Sequence, residues 1–199
     1  MSRRVQTLLF TDIVGSTDRL RDLGDAAWAR LLARYHHLIR AALAVHGGRE
    51  VDTAGDGFLA RFDAPASAVR AAVAAVATVT PLRIEIRAGL HTSEVEIDGD
   101  AVTGVGVHLA ARVMGQAGPG QVLVSTTVRE LMAGSGLGFV DLGARELKGF
   151  TEPWRLFALD RATVRSDDGT NQVLWNPTAE VEGHGGHRVP FPGLLSVGR

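Results

Sequence analysis

The sequence predicts an α+β domain, a mixed and largely antiparallel sheet with helices packed on it. Two observations carry this. Two strand-like runs adjoin across the Gly-containing turn at 55–57, which reads as a β-hairpin. Elsewhere, stretches with apolar residues at every second position alternate with stretches at a spacing of three to four, which places helices on one sheet.

The elements follow in order. Val5 to Val14 reads as a buried strand, with Thr7, Leu9, Thr11 and Ile13 on one face and Leu8, Phe10, Asp12 and Val14 on the other. Gly15-Ser16-Thr17 offers a turn and an N-cap for a short helix through Leu23. Asp25 caps a longer helix carrying Trp28, Leu31, Leu32, Tyr35, Leu38, Ile39, Ala42 and Leu43 at helical spacing, and Gly47-Gly48 ends it. In the hairpin, Glu50 and Asp52 alternate with Val51 and Thr53, and Phe58, Ala60 and Phe62 alternate with Leu59 and Arg61.

Pro65 opens an Ala- and Val-rich helix to about Val79, and Pro81 separates it from a strand, Leu82 to His91. A polar connection is expected over Thr92–Thr103, then a helix from Val105 to Met114 and a turn at Gly118-Pro119-Gly120. A strand at Gln121–Ser125, a small helix at Thr126–Ala133 and strands at Phe139–Leu147 and Trp154–Leu159 complete the domain, residues 1–160. The order β-α-α-β-β-α-β-α-β-α-β-β is ferredoxin-like. From Arg161 to Arg199 the composition shifts to Gly, Pro, Asp, Asn and His without periodicity, which reads as a flexible tail. Its Gly183-His184-Gly185-Gly186-His187 stretch reads as unstructured polar chain, with weak metal binding as the alternative.

Composition narrows the chemistry. The 199 residues are 45% hydrophobic and 22% charged, with net charge −1, as in ordinary globular domains. No basic run exceeds two residues, so nothing supports a nucleic-acid surface. With no cysteine, disulfides, thiolate zinc sites and Cys nucleophiles are excluded. A metal would be held by carboxylate, carbonyl or His, and carboxylates favour Mg²⁺, Mn²⁺ or Ca²⁺. The apolar run after Ser2-Arg3-Arg4 is too short for an export signal, and no stretch is expected to span a membrane. The expectation is a soluble cytoplasmic protein with no membrane partner.

The hairpin VDTAGDGFLARF admits two readings. Gly55 and Gly57 supply backbone freedom for a turn, and Asp56 is an ordinary turn residue. Equally, Asp12 late in a central strand and Asp56 at the hairpin tip form a carboxylate pair able to share cations if their strands are neighbours. Val14-Gly15-Ser16-Thr17 fits either a plain Ser/Thr cap or a phosphate site at a helix N-terminus, where unpaired amides and the helix dipole attract anions. His108 and Arg112 stand four apart on one helix face.

Three stretches, Leu9-Phe10-Thr11-Asp12-Ile13-Val14-Gly15-Ser16-Thr17, Ala54-Gly55-Asp56-Gly57-Phe58 and Val107-His108-Leu109-Ala110-Ala111-Arg112, together resemble the catalytic domain of the class III adenylate/guanylate cyclases. Arg87-Ala88-Gly89-Leu90-His91-Thr92, Glu146-Leu147-Lys148-Gly149 and Glu152-Pro153 extend the resemblance over about Val5 to Asp160. It implies a head-to-tail homodimer with interfacial active sites, two divalent cations (Mg²⁺ or Mn²⁺), and conversion of ATP or GTP to a 3′,5′-cyclic nucleotide and pyrophosphate in intracellular signalling. It assigns the metals to Asp12, Asp56 and the backbone carbonyl of Ile13, which leaves Gly15, Ser16 and Thr17, by the helix-terminus reading, to bind substrate phosphates. Arg112 matches the arginine that steadies the pentavalent phosphate. Lys148 matches a lysine on the triphosphate, though a plain surface lysine fits the same residues.

The chain also departs from the pattern. Asp52 stands where adenylate cyclases place the base-selecting lysine, Ala101 (with Asp100 beside it) where its partner falls, and His108 where an asparagine steadies the ribose. Two functions therefore compete: an active cyclase with an unusual base pocket, and a weak or silent homologue acting as a nucleotide-binding or regulatory partner.

Overall fold

Strand β1 (Ser2–Ile13) lies inside the sheet, and both its faces carry apolar side chains, so both must be covered. The computed structural model describes residues 1–164. Around β1 the sheet runs β2-β3-β1-β4-β6-β8-β7, where β2 is Arg49–Ala54, β3 Gly57–Phe62, β4 Ile86–Asp98, β6 Val122–Ser125, β7 Phe139–Arg145 and β8 Trp154–Leu159. A short β5 (Ala101–Thr103) pairs with β4. Among the described residues only β4 and β6 pair in parallel; every other pair is antiparallel. The α+β, largely antiparallel expectation is met.

Helices cover the two faces unequally. On one face α2 (Asp25–Val45) and α3 (Pro65–Thr78) bury Tyr35, Ile39, Leu43, Val69 and several alanines against Leu9, Ile13, Phe58, Ala60 and Phe62. Each large apolar side chain buried there contributes about 1.5–3 kcal/mol. On the other face α4 (Val105–Gly115) sets Leu109 and Val113 on Leu123 and Leu156, and Ala110 on Leu8, Leu59 and Val95. Helix α4 sits close because two glycines admit it. A Cβ on Gly89 would strike the backbone of Met114, and one on Gly106 would strike the Ser93 hydroxyl.

Several expectations need correction. Residues 92–98 are not a loop: β4 continues to Asp98, turns at Gly99 (φ +61°) and pairs with β5. Strand β4 also starts at Ile86 instead of Leu82, because Thr80–Leu82 forms a 3-10 turn. Glu50 and Asp52 do not share a face. A bulge at Val51 sets Glu50 opposite Ala60 and Asp52 opposite Leu59, so they point to opposite sides. Neither expected side-chain cap forms: Gly15 and Gly24 occupy the N-cap positions of α1 (Ser16–Leu23) and α2.

The expectation that no stretch could span a membrane also needs amending. Pro65–Leu82 is long and apolar enough by length and composition, but Ala68, Val69, Ala71, Ala72 and Ala75 are fully buried against the sheet, as in a core helix. A small helix, α5 (Thr126–Leu131), follows β6. The expected tail begins at Arg161, yet Arg161–Val164 forms one helical turn, α6, and the Gly138 amide donates to the Thr163 hydroxyl at 2.8 Å. The rest of that tail, with its Gly183–His187 stretch, lies outside the described residues.

Candidate active site

Asp12 is the penultimate residue of β1. It shares the strand face of Phe10 and Leu8, so its side chain is on the α4 face of the sheet. Residue Asp56 follows Gly55 in the two-residue turn between β2 and β3, and β3 pairs directly with β1. Gly55 alone takes a positive φ, +62°; Gly57 does not, so its expected role as a left-handed residue is corrected. A glycine of positive φ at the first central position suits a tight hairpin turn. The two carboxyl groups are close enough to interact. Asp56 has its pKa raised, mainly by burial and further by the charge of Asp12, while a hydrogen bond from Ser16 partly offsets this.

Two features show what this pair lacks. The Oδ2 of Asp56 is buried with no hydrogen-bond partner. Asp12 is held by Arg87, directly across the β1–β4 ladder, whose Nη2 and Nε donate to Oδ2 at 2.5 and 3.1 Å. Burying adjacent carboxylates is unfavourable unless positive charge compensates them. An orphaned carboxylate oxygen beside a second carboxylate therefore fits a hard divalent cation. Among the described residues no group of three or more His, Cys, Asp or Glu gathers anywhere. Further ligands would be carbonyls such as that of Ile13, water or phosphate oxygens, a set that Mg²⁺ and Mn²⁺ accept.

The turn is tied down from below by α2. The Tyr35 hydroxyl donates to the Asp56 carbonyl at 2.9 Å and lies 3.4 Å from the Thr11 hydroxyl. The next residue, His36, places Nε2 2.8 Å from the Gly55 carbonyl. Both rings stand edge-on to Phe58, and Arg40 lies over the same ring while pairing with Glu50 at 2.7 and 2.8 Å. Burial raises the Tyr35 pKa, so its hydroxyl stays protonated and able to donate.

At the other end of this half, Gly15 (φ +68°) opens α1 with no side-chain cap. The Ser16 side chain lies near Asp56 instead. The plain-cap reading therefore fails, and the amides that begin α1 remain available for an anion.

The remaining predicted residues gather elsewhere. Helix α4 buries Gly106, Leu109, Ala110 and Val113, so His108 and Arg112 stand on its solvent side and both are exposed. The Nε of Arg112 donates to the Lys148 carbonyl at 3.1 Å, which joins α4 to the β7–β8 loop. Lys148 is exposed, as are Asp100 and Ala101 at the β4–β5 turn. Asp52 is exposed on the α4 face of edge strand β2. The structure thus brings Asp12, Asp56 and Ser16 together, and Arg112 with Lys148. It does not converge the two sets within one chain, because His108 and Arg112 point away from the sheet that carries Asp12. Sequence reasoning missed Arg87, Tyr35 and His36. Arg87 lay inside a recognised stretch, but its partner depends on the β1–β4 register.

The family model for the adenylate and guanylate cyclase catalytic domain matches residues 3–161. A putative adenylate cyclase 3 of Rhizobium meliloti is 28% identical over 172 residues, covering 80% of this chain and 29% of that protein. The chain spans less than a third of the length of two curated R. meliloti relatives. The adenylyl cyclase CyaB from P. aeruginosa superposes with a TM-score of 0.74 at 24% identity, over 80% of this chain and 95% of that one. A dimeric guanylyl cyclase domain of the RhoGC fusion protein from Blastocladiella emersonii gives 0.71 at 18% identity, over 80% and 98%. At these identities the two structures speak for the fold.

Proposed function

Because the chain belongs to the adenylate and guanylate cyclase catalytic domain family, we propose that it converts a nucleoside triphosphate to its 3′,5′-cyclic nucleotide and pyrophosphate, in intracellular signalling. The observation that carries this reading is the Asp12–Asp56 pair with its unpartnered buried oxygen. In the reaction the ribose 3′-oxygen bonds to the α-phosphorus, the bond from that phosphorus to the bridging oxygen breaks to release pyrophosphate, and the 3′-hydroxyl proton passes to solvent water.

Asp12, Asp56 and the Ile13 carbonyl would hold two divalent cations, Mg²⁺ or Mn²⁺. When bound, these supply Lewis-acid activation of the hydroxyl and neutralise the triphosphate. The chain's own groups do the rest. The amides at Gly15, Ser16 and Thr17 receive phosphate oxygens. Arg87 adds a fixed positive charge at the same end of the sheet. Arg112 clamps the reacting phosphate with its planar guanidinium, His108 donates to the ribose or phosphate, and Lys148 contacts the triphosphate. Since His108 and Arg112 face away from Asp12 in their own chain, they serve a nucleotide held by a second copy, and the active unit is a homodimer.

Asp52 governs the base. A carboxylate only accepts hydrogen bonds, so it suits guanine, whose N1–H and N2 amino group both donate, and repels the N1 lone pair of adenine. GTP is therefore accepted at least as well as ATP. Asp52 and His108 also favour a second reading, a silent nucleotide-binding partner. Purified protein assayed with ATP and GTP, in Mg²⁺ and in Mn²⁺, separates them. Cyclic product that disappears in Asp56→Ala supports the cyclase. Nucleotide binding without product under all four conditions selects the silent partner.

A further inference from the structure

We infer that Tyr35 and His36 of α2 are positioning residues for the metal-binding carboxylates, acting as a clamp beneath the hairpin tip. The inference rests on the cation-binding reading of Asp12 and Asp56. Its basis is geometric. A two-residue turn on a hairpin is held along its strands by the ladder, but its two central carbonyls have no ladder partners. Here both are taken by consecutive residues of one helix: Gly55 by His36 at 2.8 Å and Asp56 by Tyr35 at 2.9 Å.

The Tyr35 hydroxyl does more than close the turn. It also lies 3.4 Å from the Thr11 hydroxyl, and Thr11 precedes Asp12. One fully buried side chain thus touches both carboxylate-bearing segments, the end of β1 and the tip of the hairpin. It sets their spacing from the side of the sheet opposite Asp12. Phe58, wedged edge-on against both rings, fixes their direction. Without this clamp the β2–β3 turn could flex on its single positive-φ glycine, and Asp56 would sample positions too far from Asp12 to share a cation. Neither residue touches substrate or metal; both act through the backbone of the turn.

The test uses the full chain and Mn²⁺ without nucleotide, because a triphosphate would chelate Mn²⁺ by itself. Mn²⁺ binding is read from loss of the free-ion electron paramagnetic resonance signal, and amide exchange is measured over residues 54–58. Tyr35→Phe keeps the ring and removes the donor. It should need roughly tenfold more Mn²⁺ for half-saturation, in the range for losing an outer-shell partner, and should exchange faster at the turn. His36→Leu should act in the same direction. His36→Gln, whose amide can reach the Gly55 carbonyl, should restore wild-type affinity. A structural role confined to folding would lower the thermal midpoint and leave Mn²⁺ affinity unchanged. Wild-type affinity in both Tyr35→Phe and His36→Leu would overturn the clamp, provided Asp56→Asn weakens binding. If Asp56→Asn also binds as wild type, or wild type binds no Mn²⁺, the cation reading fails, and the clamp fails with it.

Discussion

The two halves of the candidate site are built differently. At the hairpin end, Asp12 and Asp56 are partly buried, Asp12 is paired with Arg87, and the turn is supported from below by Tyr35 and His36. On α4, His108, Arg112 and Lys148 are all exposed, and one hydrogen bond, from Arg112 to the Lys148 carbonyl, joins them. The difference teaches what each half must do alone. Two carboxylates repel each other, so the fold has to hold them in place before a cation arrives. Cationic and imidazole side chains on an open helix face are well solvated and need no such support. In the proposed dimer they gain their geometry when the second copy covers them.

The largest expected effect comes from removing the supported half. Asp12→Asn and Asp56→Asn should each lower turnover on the order of 10²-fold or more, the scale for losing a central electrostatic contact in the transition state. Circular dichroism should remain that of wild type. Activity within threefold of wild type in either variant would break the comparison at its root.

Gly89→Ala addresses the other half. The added methyl meets the Met114 backbone and lifts α4, at a cost of about 1–3 kcal/mol. Turnover should fall at least tenfold while Mn²⁺ binding at Asp12 and Asp56 persists. Equal loss of both would show that the halves are one cooperative unit.

Most of the fold and part of this asymmetry were legible in the sequence. Gly-Asp-Gly between two alternating runs located the hairpin, and the resemblance drew attention to Asp12 and Arg112 as candidates. The bulge at Val51 left no sequence mark, because one extra residue in a strand changes facing without changing composition. It decides which side Asp52 takes. The extension of β4 was hidden for another reason: Thr92, Ser93, Glu94 and Glu96 look like loop residues, although Val95 and Ile97 keep the period of two and both pack on the α4 face. Tyr35 fitted the apolar stripe of α2, so its hydroxyl went unread. A ring can serve the core while its polar tip serves the site.

A smaller effect sharpens the role of Asp52. Asp52→Lys should shift the ratio of kcat/KM for ATP over GTP toward ATP by tenfold or more, about 1.4 kcal/mol. An unchanged ratio in a variant that still turns over would remove Asp52 from the base pocket.

A further effect is on stability alone and lies beneath α4. His91 is buried, with Nδ1 2.8 Å from the Ser125 hydroxyl and its ring edge-on to Trp154. Burial lowers its pKa to about 4. An unfolded chain binds that proton near pH 6.5, so between about pH 6.5 and 4 the unfolded state holds more protons and stability falls as pH falls. The slope for this one group is at most ~1.4 kcal/mol per pH unit. Urea unfolding at pH 7 and pH 5 should show a larger loss in wild type than in His91→Gln. Equal losses would show that His91 does not supply the acid sensitivity.

The central claim is that the supported half of one chain works with the open half of another. Mixing inactive Asp12→Ala with inactive Arg112→Ala protein tests it most directly. If the two residues serve one site from different chains, random reassortment makes half the dimers mixed, each with one intact site. Roughly a quarter of wild-type activity should then return. No recovery, with subunit exchange demonstrated by differently tagged chains, would contradict the account.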